Sequence, residues 1–223
     1  LHTQTCLSQL ERKTMKKLIV FLVWFTSPIC LWANELPALF DVTDVAHDDV
    51  LNVREFPNSD SSLLGSLVFN DRNVEVVDLS ENRKWGLVNF GEISGWVSMR
   101  YMTIVPSDGW FMSTAQLVCG GTEPFWDMTM NAPNEGMASF SSMSDDAAFD
   151  YSIDWHGGQI GRLNNTIGLG GARNDNMGSF SAVIRRDSCN DGMSGMNFGL
   201  AIDLFLHESG EPAGYEGCCS LRP

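Results

Sequence analysis

The chain has 223 residues, with 14 lysines and arginines against 28 aspartates and glutamates, a formal net charge of −14. A surface of that sign repels phosphate backbones and anionic lipid headgroups, which argues against nucleic acid as a partner. The same charge serves solubility in a salty medium, and it would attract a basic protein such as a lysozyme.

Met15-Lys16-Lys17, the apolar run Leu18 to Phe25 and the small residue Ala33 read as a secretory signal over residues 15–33, cleaved before Asn34. The run is shorter than the roughly 20 apolar residues a membrane span needs, and Pro28 breaks it, so no stable insertion is expected after signal removal. Cys30 is a poor lipidation site, because Pro28 and Ile29 stand where small residues are usual. Residues 1–14 then read as upstream reading frame, and the expected location is periplasmic or secreted. Without residues 1–33 the chain loses four basic residues and one acid, leaving ten basic and 27 acidic residues, a net charge of −17.

Export decides how the cysteines are read. Cys119, Cys189, Cys218 and Cys219 remain, and four cysteines in an exported chain favour disulfides. With no C-x-x-C pair and the histidines far apart, zinc is a second choice, and no cofactor is expected. Cys119 opens the second half and Cys218-Cys219 closes it. A bridge between them would pin first strand to last, leaving Cys189 to take the other terminal cysteine; a vicinal Cys218–Cys219 bridge is the lesser alternative.

The turn-rich Pro106-Ser107-Asp108-Gly109 divides the remainder into two β domains, 34–105 and 116–223, joined by a linker at 106–115. In the first, Val74, Val76 and Leu87 sit in short runs bounded by Asp, Asn and Gly, as half-buried strands require. Gly95 before Trp96 suits a close approach of two strands. The series Leu51-Asn52-Val53-Arg54, Pro57, Leu64-Gly65, Val74-Glu75-Val76, Trp85-Gly86-Leu87-Val88, Gly95-Trp96-Val97 and Tyr101-Met102 resembles the bacterial SH3 domain (SH3b). The resemblance implies a small barrel and a peptide-binding groove, for which Phe56, Trp85, Trp96 and Tyr101 are the candidates. Core or rim packing of the same aromatics is the competing reading. Glu55-Phe56 departs from the pattern, since many relatives have small residues between the arginine and the proline.

In the second half four segments alternate with period two: Trp126, Met128 and Met130; Phe149, Tyr151, Ile153 and Trp155; Phe180, Ala182 and Ile184; and Phe198 to Leu206. They predict a disulfide-stapled antiparallel β-barrel or sandwich, with Gly157-Gly158 and Gly168-Leu169-Gly170-Gly171 as turns. Gly121-Thr122-Glu123-Pro124-Phe125-Trp126, Cys189-Asn190-Asp191-Gly192-Met193-Ser194 and Gly217-Cys218-Cys219 resemble an uncharacterised family of exported proteobacterial envelope proteins, which supplies no activity.

The candidate chemistry of this half is sparse. Glu123 and Asp191 could form a carboxylate pair for glycoside cleavage, with Trp126 beside them. The alternative has Asp191-Gly192 making a turn and Glu123 paired to Arg185 or Arg186. Ser194 lies outside a Gly-x-Ser-x-Gly elbow, and a triad with Asp191 and His156 or His207 has no support in spacing. The expectation is a non-enzymatic envelope protein whose SH3-like domain binds a peptide or peptidoglycan stem. The alternatives are a cell-wall hydrolase or peptidase with an SH3-like targeting domain, or a lysozyme inhibitor.

Overall fold

The computed structural model describes residues 36–107, 109–110, 116–131, 136–144, 147–208 and 211–222; the expected signal lies outside the described residues. The described chain is all-β, with one 3-10 turn at Met99–Tyr101. No helix among the described residues is long and apolar enough to cross a membrane.

The first half contains β1 (Ala38–Val42), β2 (Val50–Arg54), β3 (Leu63–Val68), β4 (Val74–Val76), β5 (Asp78–Leu79), β6 (Trp85–Phe90), β7 (Ile93–Ser98) and β8 (Met102–Ile104). They form two sheets, β4-β1-β8 and β3-β2-β7-β6-β5, around a core of Phe40, Val42, Leu51, Val53, Val76, Val88 and Val97. Alternation along each strand turns these residues inward and leaves Asn52, Arg54, Leu87 and Trp96 on the outer side. Gly95 is required by packing: a Cβ there would stand 2.4 Å from Val53 Cγ1.

The second half contains β9 (Gln116–Thr122), β10 (Phe125–Met130), β11 (Met137–Ser142), β12 (Phe149–Ser152), β13 (Trp155–Gln159), β14 (Arg162–Ala172), β15 (Ser179–Cys189), β16 (Phe198–His207) and β17 (Ala213–Arg222). These make one antiparallel sheet in the order β12-β11-β10-β9-β17-β16-β15-β14-β13, so only β9 and β17 pair out of sequence. The inward faces follow the period-two pattern. Trp126, Met128, Met130, Phe180, Ala182, Ile184, Leu200, Ile202, Leu204 and Leu206 are all buried, together with Phe140 and Tyr151. Each such aliphatic side chain contributes about 1.5–3 kcal/mol on burial.

The sheet curls so that β12 comes back against the end of β14. Leaving β12, the chain changes partner: Asp154 donates its N–H to Gly170 O and Asn174 to Asp150 O, both at 2.9 Å, and Tyr151 bridges Arg173. Two sequence expectations fail at this junction. Gly157-Gly158 and Gly168 to Gly171 are strand residues of β13 and β14, not turns. A Cβ on Gly171 would stand 1.8 Å from Ser152 O, so glycine here marks strands in close approach. Trp155, expected inside with Tyr151 and Ile153, is 53 % exposed, because the exchange of partners breaks the alternation.

Cys119 and Cys219 are cross-strand partners of β9 and β17 with Cα atoms 4.0 Å apart, and they form one disulfide. Cys189–Cys218 ties the end of β15 to β17. The first strand of the sheet in chain order is thus bound to the last, and the last to the end of β15.

The two halves share structure. In β1, Ala38, Phe40 and Val42 enter the first core while Leu39 enters the second, where Trp110 of the expected linker is also buried. Val105 donates its N–H to Leu39 O at 2.9 Å. Elsewhere Ser94 donates its N–H to Gly195 O (3.0 Å), Gly195 to Glu92 O (2.9 Å), and Asn197 to Ser94 Oγ (2.8 Å). Asn89 Nδ2 donates to Asn197 O at 2.9 Å.

Candidate functional site

On the outer side of the five-stranded sheet one row of residues crosses all five strands in register: Leu63, Arg54, Trp96, Leu87 and Asp78. Trp85 is two residues from Leu87 on β6 and so shares this face. Both tryptophans are half-buried, and neither belongs to the core cluster. Arg54 beside Trp96 donates from Nη1 to Ser61 O at 2.7 Å, which holds the β2–β3 hairpin. Phe56 stands 57 % exposed in that hairpin, with its N–H on Ser61 Oγ. Tyr101 packs on the core, with the Arg100 guanidinium 5.6 Å from its ring centre. Of the four expected groove aromatics, the fold brings Trp85 and Trp96 to one face, leaves Phe56 exposed in the hairpin two residues past Arg54, and uses Tyr101 in packing.

Leu87 also opens onto a cleft of about 670 Å³ between the halves. Its apolar lining includes Leu79 and Phe198, and its charged residues include Arg83 and Arg186. Sequence reading missed this cleft because its walls come from β5–β6 and β15–β16, and no periodicity links such distant segments.

A second groove, of about 570 Å³, lies on the curled sheet and is lined by Glu123, Asp191, Arg185, Asp203 and Glu216. Glu123 is exposed in the tight turn between Thr122 and Phe125, which are paired across β9 and β10. Glu123 and Pro124 form this turn, and the bond between them is cis. Arg185 is paired with Asp203 and does not take Glu123. Asp191 faces its own loop. Its Oδ1 accepts the N–H groups of Met193 (3.0 Å) and Ser194 (2.8 Å), and its Oδ2 accepts the Ser194 hydroxyl (2.7 Å). Burial pushes this carboxyl up, but the Ser194 and backbone hydrogen bonds outweigh it and hold Asp191 below the usual carboxylate range.

Trp126 is not part of this groove. It is 2 % exposed, lies against Phe140 at 6.0 Å and Tyr215 at 5.8 Å between ring centres, and donates Nε1–H to Glu216 O. The inward pleat of β10 puts it there. Ser194 gives its hydroxyl to Asp191, and His207 is hydrogen-bonded to Ser181 Oγ at 2.9 Å and not to Ser194. A glycosidase acid needs a raised pKa, and Asp191 moves the other way. Among the described residues no group of three or more His, Cys, Asp or Glu side chains is placed to hold a metal ion.

The family model of the bacterial SH3 domain matches residues 49–103, the span from the start of β2 into β8. No curated protein and no solved structure matches the chain.

Proposed function

We propose that this is a non-enzymatic protein of the bacterial envelope whose SH3-like half binds a peptide, the stem of peptidoglycan being the ligand of choice. The row Arg54–Trp96–Leu87, with Trp85 beside it, carries the reading. It supplies aromatic surface next to a cation on a rigid sheet, which suits an extended peptide. The curled sheet acts as a stapled support that holds this face. Its groove keeps Asp191 occupied with its own loop, which supports a binding role over hydrolysis.

The test is co-sedimentation with purified peptidoglycan. Retention at low and moderate salt is expected, with a loss of about tenfold or more for Trp96→Ala, in the range of a central aromatic contact. Absence of retention at both salt concentrations overturns the reading. A second reading rests on Glu123 and Glu216 at the exposed groove of an acidic chain, which suit a basic protein such as a lysozyme. An inhibition assay against lysozyme separates it from the first.

A further inference from the structure

We infer that the cleft between the two halves receives the terminal carboxylate of the peptide that lies on the aromatic face, so that both halves build one binding site. The inference rests on the peptide-binding reading above and adds to it the chemistry and place of the ligand's end.

Three observations carry it. The cleft adjoins the aromatic face directly, because Leu87 lines it and is the cross-strand partner of Trp96. Cross-strand neighbours stand about 5 Å apart, a distance covered by about two residues of extended peptide. A ligand stacked on Trp96 therefore reaches the cleft without bending away from the surface.

The second observation is the pair of cations. Arg83 comes from the β5–β6 turn and Arg186 from β15, one from each half. Neither forms an ion pair with a described residue, as is also true of Arg54, Arg100 and Arg222. The β15–β16 register slips between Arg186 and Cys189, and such bulges re-aim side chains. Two arginines lining one concave site suit a carboxylate, which accepts paired N–H bonds.

The third observation is the surroundings of the arginines. Leu79 and Phe198 give the cleft apolar surface, while Asp78, Glu81 and Asp187 add negative charge around it. An isolated dianion such as phosphate meets those carboxylates unfavourably. A peptide carrying an ammonium as well as its carboxylate satisfies both signs. Clefts at domain seams with apolar lining and a few convergent polar groups are common ligand sites.

The probe is a stem tetrapeptide, Ala-Glu-diaminopimelate-Ala, with a free terminal carboxylate or with a terminal amide, titrated against the full chain by tryptophan fluorescence and calorimetry. The free acid is expected to bind about tenfold tighter than the amide, the worth of one charge-assisted pair. Arg186→Ala is expected to lower affinity for the acid by a similar factor and to leave amide binding unchanged. Arg186 is exposed, and an unchanged melting temperature verifies the fold of the variant. Equal binding of acid and amide, or an Arg186→Ala variant that binds both as wild type does, overturns the cleft assignment. If Trp96→Ala still loses binding in that case, the aromatic-face reading survives. Failure of the wild-type chain to bind either peptide overturns both.

Discussion

Glu75 on β4 accepts the backbone N–H of Leu221 on β17 at 2.9 Å, so a side chain of the SH3-like half holds the last strand of the curled sheet. Part of the residue stays accessible, but its carboxyl is desolvated. Burial raises its pKa to about 7, against the lowering effects of the Leu221 hydrogen bond and the nearby Arg222. A raised folded-state value means that the native protein binds the proton more tightly than the unfolded chain. The associated stability is fully present below pH 4.5 and is lost as the pH rises towards about 7, a change of at most about 3 kcal/mol. Glu75→Gln keeps the acceptor and removes the titration. Urea unfolding at pH 5 and pH 8 should show a smaller decline for the variant; equal declines would remove Glu75 from the pH response.

The disulfides differ in the loops they close. Cys119–Cys219 spans 100 residues and Cys189–Cys218 spans 29. Restriction of the unfolded chain gives about 4.7 and about 3.6 kcal/mol respectively. The double variant Cys119→Ser/Cys219→Ser should therefore lower the urea midpoint more than Cys189→Ser/Cys218→Ser, a difference increased by burying two hydroxyls where sulfurs were. Peptide mapping without reduction should recover these two pairs.

Gly171→Ala tests the closure of the curled sheet. The new methyl meets the backbone of Ser152 and Asp154, neither of which can rotate away. A loss of about 3 kcal/mol or more is expected, at the upper end of overpacking effects. A neutral melt would show that β12 and β14 do not close there in solution.

Asp191→Ala should loosen the loop that reaches the SH3-like half. The hydrogen bonds to Asp191 shape residues 191–194, and Gly195 and Asn197 follow with their bonds to Glu92 and Ser94. Amide exchange at Gly195 and Asn197 should quicken by about tenfold. Because the folded-state pKa of Asp191 is depressed, the wild-type loop has this support above pH 3.8 and loses it as the pH falls through the lower native value.

Much of the fold was legible because burial follows strand alternation. Leu200, Ile202, Leu204 and Leu206 announce an inward face by spacing alone, as do Phe180, Ala182 and Ile184. The SH3-like half was readable from its ordered motifs, and Trp85 and Trp96 share a face because β6 and β7 pair as those motifs imply. The glycines of β14 misled, since sequence cannot distinguish freedom to turn from the need for close approach. Trp155 misled because a strand that changes partners looks locally like one that does not. The site was the least legible part. Arg83 and Arg186 line one cleft only because the two halves pack together, and Trp126 carries a binder's composition at a position the pleat turns inward.

One strand decides how the molecule comes apart. Since β1 gives Phe40 to one core and Leu39 to the other, neither half can melt without opening the wall of its neighbour. Calorimetry should record a single endotherm where the sequence divides in two. A proteolytic nick near Ser107 would release no independent SH3-like domain, because the strand that completes it is also a plug for its partner.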